Sequence, residues 1–340
     1  MTELVSILIP AYNAEKWIGE TIKSALGQTW PKKEIIIVDD GSTDNTLQIA
    51  RQFESKSVKV ITQQNKGSVS ARNKALSYAE GDYIQWVDAD DLLAPDKISQ
   101  QLSKLDGGKD ASILLTSAWG RFYYWPVKAK FKPDPLWRDL MPIEWLIVKF
   151  TEGCWMNPVG WLVSHRLAEL AGPWDERLSN SRDDDGEYIC RVVAASGKVK
   201  FVPQAKCYYR IGNPNSLSWM NSNKALESLF LATSLCISHL RSLEDSERTR
   251  AACIKFLQNR LLYFYPDKYG MVEKAEKLAQ DLGGHLLPPK PGWKLSLFKT
   301  IVGWKIAKKI KNIEWSAETY IRKNWDRLIY ELGNLNKPSI

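Results

Sequence analysis

No stretch of this 340-residue chain is long and apolar enough to span a bilayer. Runs free of Asp, Glu, Lys and Arg, such as 153–165 and 228–240, reach only 13 residues, where a spanning helix needs about 20. The start, residues 1–6, has no basic segment, and the apolar run 5–10 is too short for a secretory leader, so none is expected. Cysteine is scarce as well: Cys154, Cys190, Cys207, Cys236 and Cys253 are odd in number, widely spaced and never in a C-x-x-C pair. That pattern argues against a disulfide framework or a zinc site and points to a reducing compartment, the cytosol. His165, His239 and His285 fit no metal-ligand spacing and read as structural. No G-x-G-x-x-G follows the first apolar run and no G-x-x-x-x-G-K-[ST] occurs, which excludes dinucleotide oxidoreductases and P-loop NTPases.

What is present is ordinary globular composition, 44% hydrophobic and 25% charged, over a length that suits two units or one large α/β domain with an appendage. Charge is unevenly placed. The net charge is +8, yet from residue 285 onward eleven Lys and Arg face four Asp and Glu. A basic partner surface, if the chain has one, therefore belongs to the C-terminal tail.

Short β-branched runs at 5–9, 34–38, 58–62 and 83–87 alternate with helical patterns at 15–26, 43–53 and 69–79. This is the pattern of βαβ units around a parallel sheet covered on both faces. Residues 122–137 read as a long aromatic and proline-rich loop. A strand at 159–163, a turn at 171–175, a helix at 185–195 and a last strand at 199–202 follow. From 224 on, helical periods dominate (224–242, 246–263 and 268–281).

In an open parallel sheet, ligands collect at the carboxyl ends of the strands. Three of those ends are polar here: Pro10-Ala11-Tyr12-Asn13, Asp39-Asp40-Gly41-Ser42-Thr43-Asp44 and Asp88-Ala89-Asp90-Asp91. Asp44 and Asp91 could each be simple helix caps. Asp88 and Asp90 follow a strand directly, and strand alternation would point positions i and i+2 to one side, where they could grip one divalent cation. Two carboxylates, two phosphate oxygens and water complete the octahedral shell of Mg2+ or Mn2+. Tyr12 could stack on a base, and Asp39 or Asp40 could accept a hydrogen bond from a ring N–H or a ribose hydroxyl.

Five linked segments in order, from Val5-Ser6-Ile7-Leu8-Ile9-Pro10-Ala11-Tyr12-Asn13 through Ser24-Ala25-Leu26-Gly27-Gln28-Thr29, the Asp39-Asp40 segment and Asn65-Lys66-Gly67-Ser68-Val69-Ser70-Ala71-Arg72-Asn73 to Asp88-Ala89-Asp90-Asp91, resemble the family 2 inverting glycosyltransferases of GT-A fold. That resemblance covers about the first 105 residues and returns at Gly172-Pro173-Trp174-Asp175-Glu176 and Arg182-Asp183-Asp184-Asp185-Gly186-Glu187. It implies a Rossmann-like, mostly parallel sheet flanked by helices. It also implies a nucleoside pocket of Pro10, Tyr12, Asp39 and Asp40, with Asp40 as the uracil contact. Gly67 and Arg72 would approach the donor, and Asp88 and Asp90 would form the metal-binding D-x-D motif. Counting back from Arg191 places the family's acidic pair at Asp184-Asp185, with Asp185 as base and Asp184 as fallback. Where many relatives have Tyr-Arg-x-His, this chain reads Tyr209-Arg210-Ile211-Gly212, without the histidine.

The implied activity is metal-dependent transfer of a sugar from a nucleotide donor, with UDP expected, to a glycan or lipid-linked acceptor. A non-catalytic sugar-nucleotide or glycan-binding protein and a nucleotidyltransferase are the rivals. The latter would need a glycine- and arginine-rich loop where Pro10-Ala11-Tyr12-Asn13 stands. Fifteen tryptophans add a further hint. Trp86 reads as core, whereas Trp119, Trp125, Trp137, Trp145, Trp155 and Trp161 fall where an acceptor would lie, with core filling as the alternative. Trp293, Trp304, Trp315 and Trp325 lie in the basic tail, which would be either an interfacial membrane helix drawn to anionic lipid on the inner face or a helix packed on the catalytic part. Nucleic acid is not expected, since no recognised module accompanies the charge. The expected organisation is a catalytic domain at 1–218, a helical extension at 219–285 and an amphipathic tail at 286–340.

Overall fold

The computed structural model describes residues 3–105, 110–179, 181–212, 222–265, 267–289 and 323–331. Its N-terminal part alternates β1 (Val5–Ala11), α1 (Ile18–Leu26), β2 (Lys33–Asp39), α2 (Thr46–Arg51), β3 (Val58–Thr62), α3 (Ser68–Ser77) and β4 (Tyr83–Trp86). Sequence explains these elements directly. In α1, the buried side chains Ile18, Thr21, Ile22 and Ala25 recur at helical spacing and turn one stripe to the sheet. In β1 and β2, runs such as Ile7-Leu8-Ile9 and Ile35-Ile36-Ile37-Val38 are buried on both faces, as parallel strands under two helical layers must be.

After β4 come β5 (Leu92–Leu93), α4 (Lys97–Leu102), β6 (Ile113–Phe122), β7 (Lys130–Phe131), α5 (Pro142–Glu152), β8 (Trp161–Ser164), α6 (His165–Ala171), α7 (Asp184–Ala195) and β9 (Lys198–Arg210). Among the described residues one sheet forms in the order β3-β2-β1-β4-β8-β6-β9-β5, with β7 on β6. The first four strands are parallel, and β8 runs antiparallel to β4 and β6. The chain winds from β1 outward to β3, then crosses back to place β4 on the other side of β1. The crevice between β1 and β4 is thus a topological switch point, where loops diverge and a ligand can enter. The loops after β1 and β4 carry Tyr12 and Asp88.

The stretch 113–122, for which no element is expected, is a ten-residue strand. One expectation changes: the last strand extends from 198 to 210 rather than ending at 202. Pro203 hid its length. The β6–β9 register shifts between Ser117 and Ala118, so Val202 pairs with Ser117 and Lys206 with Ala118. Pro203 falls in the resulting bulge, where no ladder N–H is needed.

The helices α8 (Asn223–Leu243), α9 (Glu247–Phe264) and α10 (Tyr269–Asp281) follow. Cys236, Ile237, Leu240, Cys253, Phe256 and Leu257 from α8 and α9 belong to the same buried cluster as the sheet, and Phe150 of α5 stacks on Phe256 at 4.2 Å. The extension expected at 219–285 therefore shares its core with the catalytic part. All five cysteines are free and buried. Trp86, Trp145 and Trp161 are core side chains. Among the described residues no helix is long and apolar enough to cross a membrane. Of the basic tail, 290–322 and 332–340, with Trp293, Trp304 and Trp315, lie outside the described residues.

Candidate active site

Three loops meet at the carboxyl edge of the parallel strands. Behind β1, Asn13 takes a left-handed conformation (φ 48°). Its Oδ1 accepts from Thr43 N at 2.8 Å, while its own N donates to Ser42 Oγ at 3.0 Å. These bonds lash the β1 loop to the β2 loop. Asp44 accepts from Thr46 N through Oδ1 and from Glu15 N through Oδ2, adding a further tie between the two loops. Gly41 has φ +70°, and a Cβ there would lie 2.8 Å from Asn65 N. Only glycine fits this close approach.

The two aspartates after β2 divide their work. Asp40 is engaged through both oxygens: Oδ1 accepts from Gln63 Nε2 (2.7 Å) and Lys66 N (2.9 Å), and Oδ2 accepts from Gly67 N (2.8 Å). Asp39 is buried too, but only Oδ2 is engaged, by Ser42 N at 3.2 Å and Thr62 Oγ1 at 3.4 Å, whereas Oδ1 has no partner. A buried carboxylate oxygen without a donor is an unmet demand. Asp40 thus holds the loop that carries Gly67, while Asp39 presents an acceptor oxygen without a partner. Tyr12 is 51% exposed, leaving its ring open for stacking. Pro10 sits between them on β1, in register with Val38.

The Asp88 loop differs from its expectation in mechanism. β4 ends at Trp86, and Asp91 N donates to Asp88 O at 3.0 Å. A turn, not strand alternation, therefore brings Asp88, Asp90 and Asp91 together. Two distant residues pin this turn. Thr21 Oγ1 donates to Ala89 O and Asp91 O. Arg210, at the end of β9, donates from Nε to Asp90 O (2.9 Å), from its backbone N to Asp91 Oδ1 (2.9 Å) and from Nη2 to Glu20 Oε2 (2.7 Å). Its guanidinium lies 4.0 Å from the Trp17 ring centroid. Asp91 is no cap: it is buried, and burial together with Asp90 and Asp88 raises its pKa well above the usual carboxylate range. Its Oδ2 has no partner.

Three carboxylates gathered on one turn, with Arg72 on Asp88 as their ion pair, suit a hard divalent cation. Among the described residues no group of three His, Cys, Asp or Glu side chains converges as a complete metal cage. Asp88 and Asp90 can therefore fill only part of a shell, and diphosphate oxygens and water would supply the rest, which is how Mg2+ and Mn2+ are commonly held.

Opposite this loop stands the start of α7. Its three consecutive aspartates face in different directions, because each helical step turns about 100°. Asp183 pairs with Arg260 of α9. Gly186 makes room for it, since a Cβ there would collide with the Asp183 carboxylate. Asp184 Oδ2 accepts from Arg72 Nη1 at 2.7 Å and from Ser68 Oγ at 3.3 Å. Among the described residues Asp185 makes no ion pair. Its Oδ2 accepts from Trp155 Nε1 at 3.2 Å, and Oδ1 from Gly186 N at 2.8 Å. Burial, then the neighbouring charges of Asp184 and Asp183, push Asp185 up to about 8. Burial also raises Asp184, against the pull of Arg72.

Arg72 joins the two sides. Its Nη1 holds Asp184 and its Nη2 holds Asp88 at 2.9 Å, while its guanidinium lies 4.5 Å from the Trp174 ring centroid. Burial disfavours its charge, but Asp184 and Asp88 outweigh that and hold its pKa above the usual value. Beside Asp185, Trp155 packs edge-on against Trp119 (5.4 Å) and Tyr209 (5.0 Å). The burial of Tyr209, with Asp91, Asp90, Asp88 and Asp185 around it, raises its phenol pKa, so it stands between the two acidic groups. Of the six tryptophans between 119 and 161, Trp155 reaches Asp185, the buried Trp119 packs behind it, and Trp145 and Trp161 lie in the core.

Sequence reasoning passed over Arg210 and Arg260. A Tyr-Arg pair at the end of the last strand was visible, but only its missing histidine drew notice. Arg260 lies 77 residues beyond Asp183, and no local spacing marks it. The three histidines have structural partners, His165 with Gly81 O, His239 with Glu187 and His285 with Glu276.

Comparison with known proteins agrees with this architecture. The sequence model described as glycosyl transferase family 2 matches residues 6–151. The chain is 30% identical over 221 residues to glycosyltransferase GlyG of Streptococcus pneumoniae, covering 62% of this chain and 71% of GlyG. It is 41% identical over 103 residues to the Escherichia coli UDP-Glc:alpha-D-GlcNAc-diphosphoundecaprenol beta-1,3-glucosyltransferase WfgD, covering 30% and 41% of the two chains. In three dimensions it resembles S. aureus TarS 1-349 in complex with UDP-GlcNAc, with a TM-score of 0.65 at 18% identity over 81% of each chain. The fold is therefore of the GT-A type, and the chain belongs to glycosyl transferase family 2: it is a glycosyltransferase.

Proposed function

We propose that this enzyme moves one sugar from a UDP-linked donor to a hydroxyl of a glycan or lipid-linked acceptor in a single displacement that inverts the anomeric carbon. The observation that carries the reading is the double grip of Arg72 on Asp88 and Asp184. It ties the loop suited to a metal–diphosphate to the helix start that bears the acids, so leaving group and nucleophile share one cluster. The uracil ring stacks on Tyr12 beside Pro10 and donates its N–H to the free Oδ1 of Asp39. Asp40 and Gly67 shape the neighbouring turn. A divalent cation held by Asp88 and Asp90, when bound, supplies positive charge to offset that of the departing UDP. Asp185, free of any cation, takes the proton of the attacking hydroxyl, and Trp155 aims its carboxylate. Asp184, spent on Arg72, orients the cluster. Trp155 and Tyr209 offer aromatic faces to the acceptor sugar.

The catalytic unit spans 1–218, and the helices of 219–285 brace it through Arg260. The acceptor named for WfgD is carried on diphosphoundecaprenol, and a lipid-linked acceptor for this chain accords with its basic tail and with a position at the membrane surface. A panel of nucleotide sugars, assayed with Mn2+, with Mg2+ and with chelator, tests the reading. UDP release that needs metal and a product of inverted anomeric configuration by NMR support it; metal-independent release or retained configuration overturns it.

A further inference from the structure

The described part of the tail, the helical segment 323–331, lies on the catalytic edge. Tyr330 OH donates to Glu20 Oε1 at 3.1 Å, Lys323 Nζ donates to Gly212 O at 2.7 Å, and Asp326 Oδ2 accepts from Tyr124 N at 2.9 Å. Positions 323, 326 and 330 thus face the protein. Trp325 and Leu328, three residues apart and hence neighbours on a helix surface, stand outward, 66% and 48% exposed. Val127, two residues beyond Trp125, is 84% exposed at the tip of the turn Pro126–Lys128, and that turn is joined to the segment through the Trp125 N contact with Asp326.

Trp325 and Leu328 on one exposed helix face, with Val127 exposed on the turn tethered to that segment, leave apolar surface that calls for a cover. The charge around them says which. Lys128 lies over the Trp125 ring, and the charges of Lys16 and Arg327 act on Lys323. The nearby anions are turned inward or engaged: Glu20 with Arg210, Asp326 with backbone N–H groups, and Glu331 with Arg327. The adjoining sequence 290–322 carries eight Lys and Arg against two Glu, with Trp293, Trp304 and Trp315. Tryptophan, aliphatic tips and cations together match the interface of an anionic bilayer, where indole sits at headgroup level and cations meet lipid phosphates.

We propose that the exposed Trp325 and Leu328, with Val127 and Lys128 on the adjoining turn, dock on an anionic membrane surface. This deepens the preceding reading, on which it rests for the lipid-linked acceptor: the face shares an edge with the Asp88 loop, so docking turns the catalytic crevice toward hydroxyls presented at the bilayer. The full-length protein is sedimented with vesicles of phosphatidylglycerol mixed with phosphatidylcholine, and with phosphatidylcholine alone. The Val127→Asp/Leu328→Glu double variant and Trp325→Ala are compared with wild type. Wild type is expected to prefer the anionic vesicles and to release in high salt. The double variant should bind about ten-fold more weakly, with unchanged thermal midpoint and oligomeric state. A double variant that sediments like wild type, equal binding to neutral vesicles, or a changed monomer–dimer balance in place of lost sedimentation overturns the proposal. UDP-sugar hydrolysis in solution is measured in parallel: its absence from wild type counts against the functional reading alone, because sedimentation does not depend on it.

Discussion

The donor edge and the acceptor edge of the crevice are built in opposite ways. On the donor edge, polar side chains serve backbone groups close by. Asp40 takes two backbone N–H groups and one amide, Asn13 knits two turns, and each partner lies within one βαβ unit. On the acceptor edge, charge meets charge over long distances in sequence: Arg72 with Asp184 and Arg260 with Asp183. A hydrogen-bonded turn can be replaced by another turn. A buried chain of charges fails when one member is removed, because the remaining charge is left uncompensated in low dielectric. The donor edge should therefore tolerate change locally, and the acceptor edge should fail as a unit.

That contrast can be broken most directly at Asp185. Asp185→Asn should lower kcat by about 10²–10⁴-fold with UDP affinity nearly unchanged, by steady-state kinetics and calorimetry. Because the Asp185 pKa is raised to about 8, wild-type turnover should climb with pH and level off above that value. The linkage has the opposite sign for stability. A carboxyl whose folded pKa is raised favours the fold while protonated, and this contribution is lost as pH rises from the ordinary carboxylate range through about 8. At pH 9 the Asn variant should therefore melt higher than wild type, and a lower melting point would contradict the buried, cation-free placement of this side chain. Next in size is Arg72→Met, which strips both Asp88 and Asp184 of their cation. Breaking a buried pair costs about 3–5 kcal/mol, so urea midpoints and kcat should fall together; loss of one without the other would separate the two edges.

Smaller effects sharpen the donor side. Asp39→Ala should weaken UDP binding about ten-fold, the loss of one charge-assisted hydrogen bond of about 1.5–3 kcal/mol, with little change in melting. Asp40→Ala should do the reverse, lowering the melting point first by freeing Lys66 N and Gly67 N. If both variants behave alike, the division of labour between them is wrong. Gly41→Ala should cost about 1–3 kcal/mol through strain at positive φ and leave the acceptor edge, read by the pH profile of kcat, unmoved.

The same contrast governs how much could be read from sequence. Parallel strands and their helices follow from local runs such as Ile35-Ile36-Ile37-Val38, and the acidic clusters at strand ends could be seen without coordinates. Their inner arrangement could not. Strand alternation was the wrong cause for bringing Asp88 and Asp90 together, because the ladder stops at Trp86 and a turn takes over. Asp39 and Asp40 are the same residue type side by side, and only their partners tell them apart. β9 was cut short by a proline that a bulge accommodates. Trp119, Trp145 and Trp161 are buried in the core while Trp155 reaches Asp185, a difference set by packing that composition does not carry. Arg210 and Arg260 act across 119 and 77 residues of sequence, a reach no motif records.

The contact between Tyr330 and Glu20 has a practical side. Glu20 also holds Arg210, and Arg210 holds the Asp90 and Asp91 turn. Trimming the chain at about residue 322 to obtain a better-behaved sample would cut the first strand of that rigging, leaving the turn proposed to receive the cation moored by one line fewer. A shortened enzyme that demands more manganese than the intact one would then be reporting on the scissors rather than on the native site.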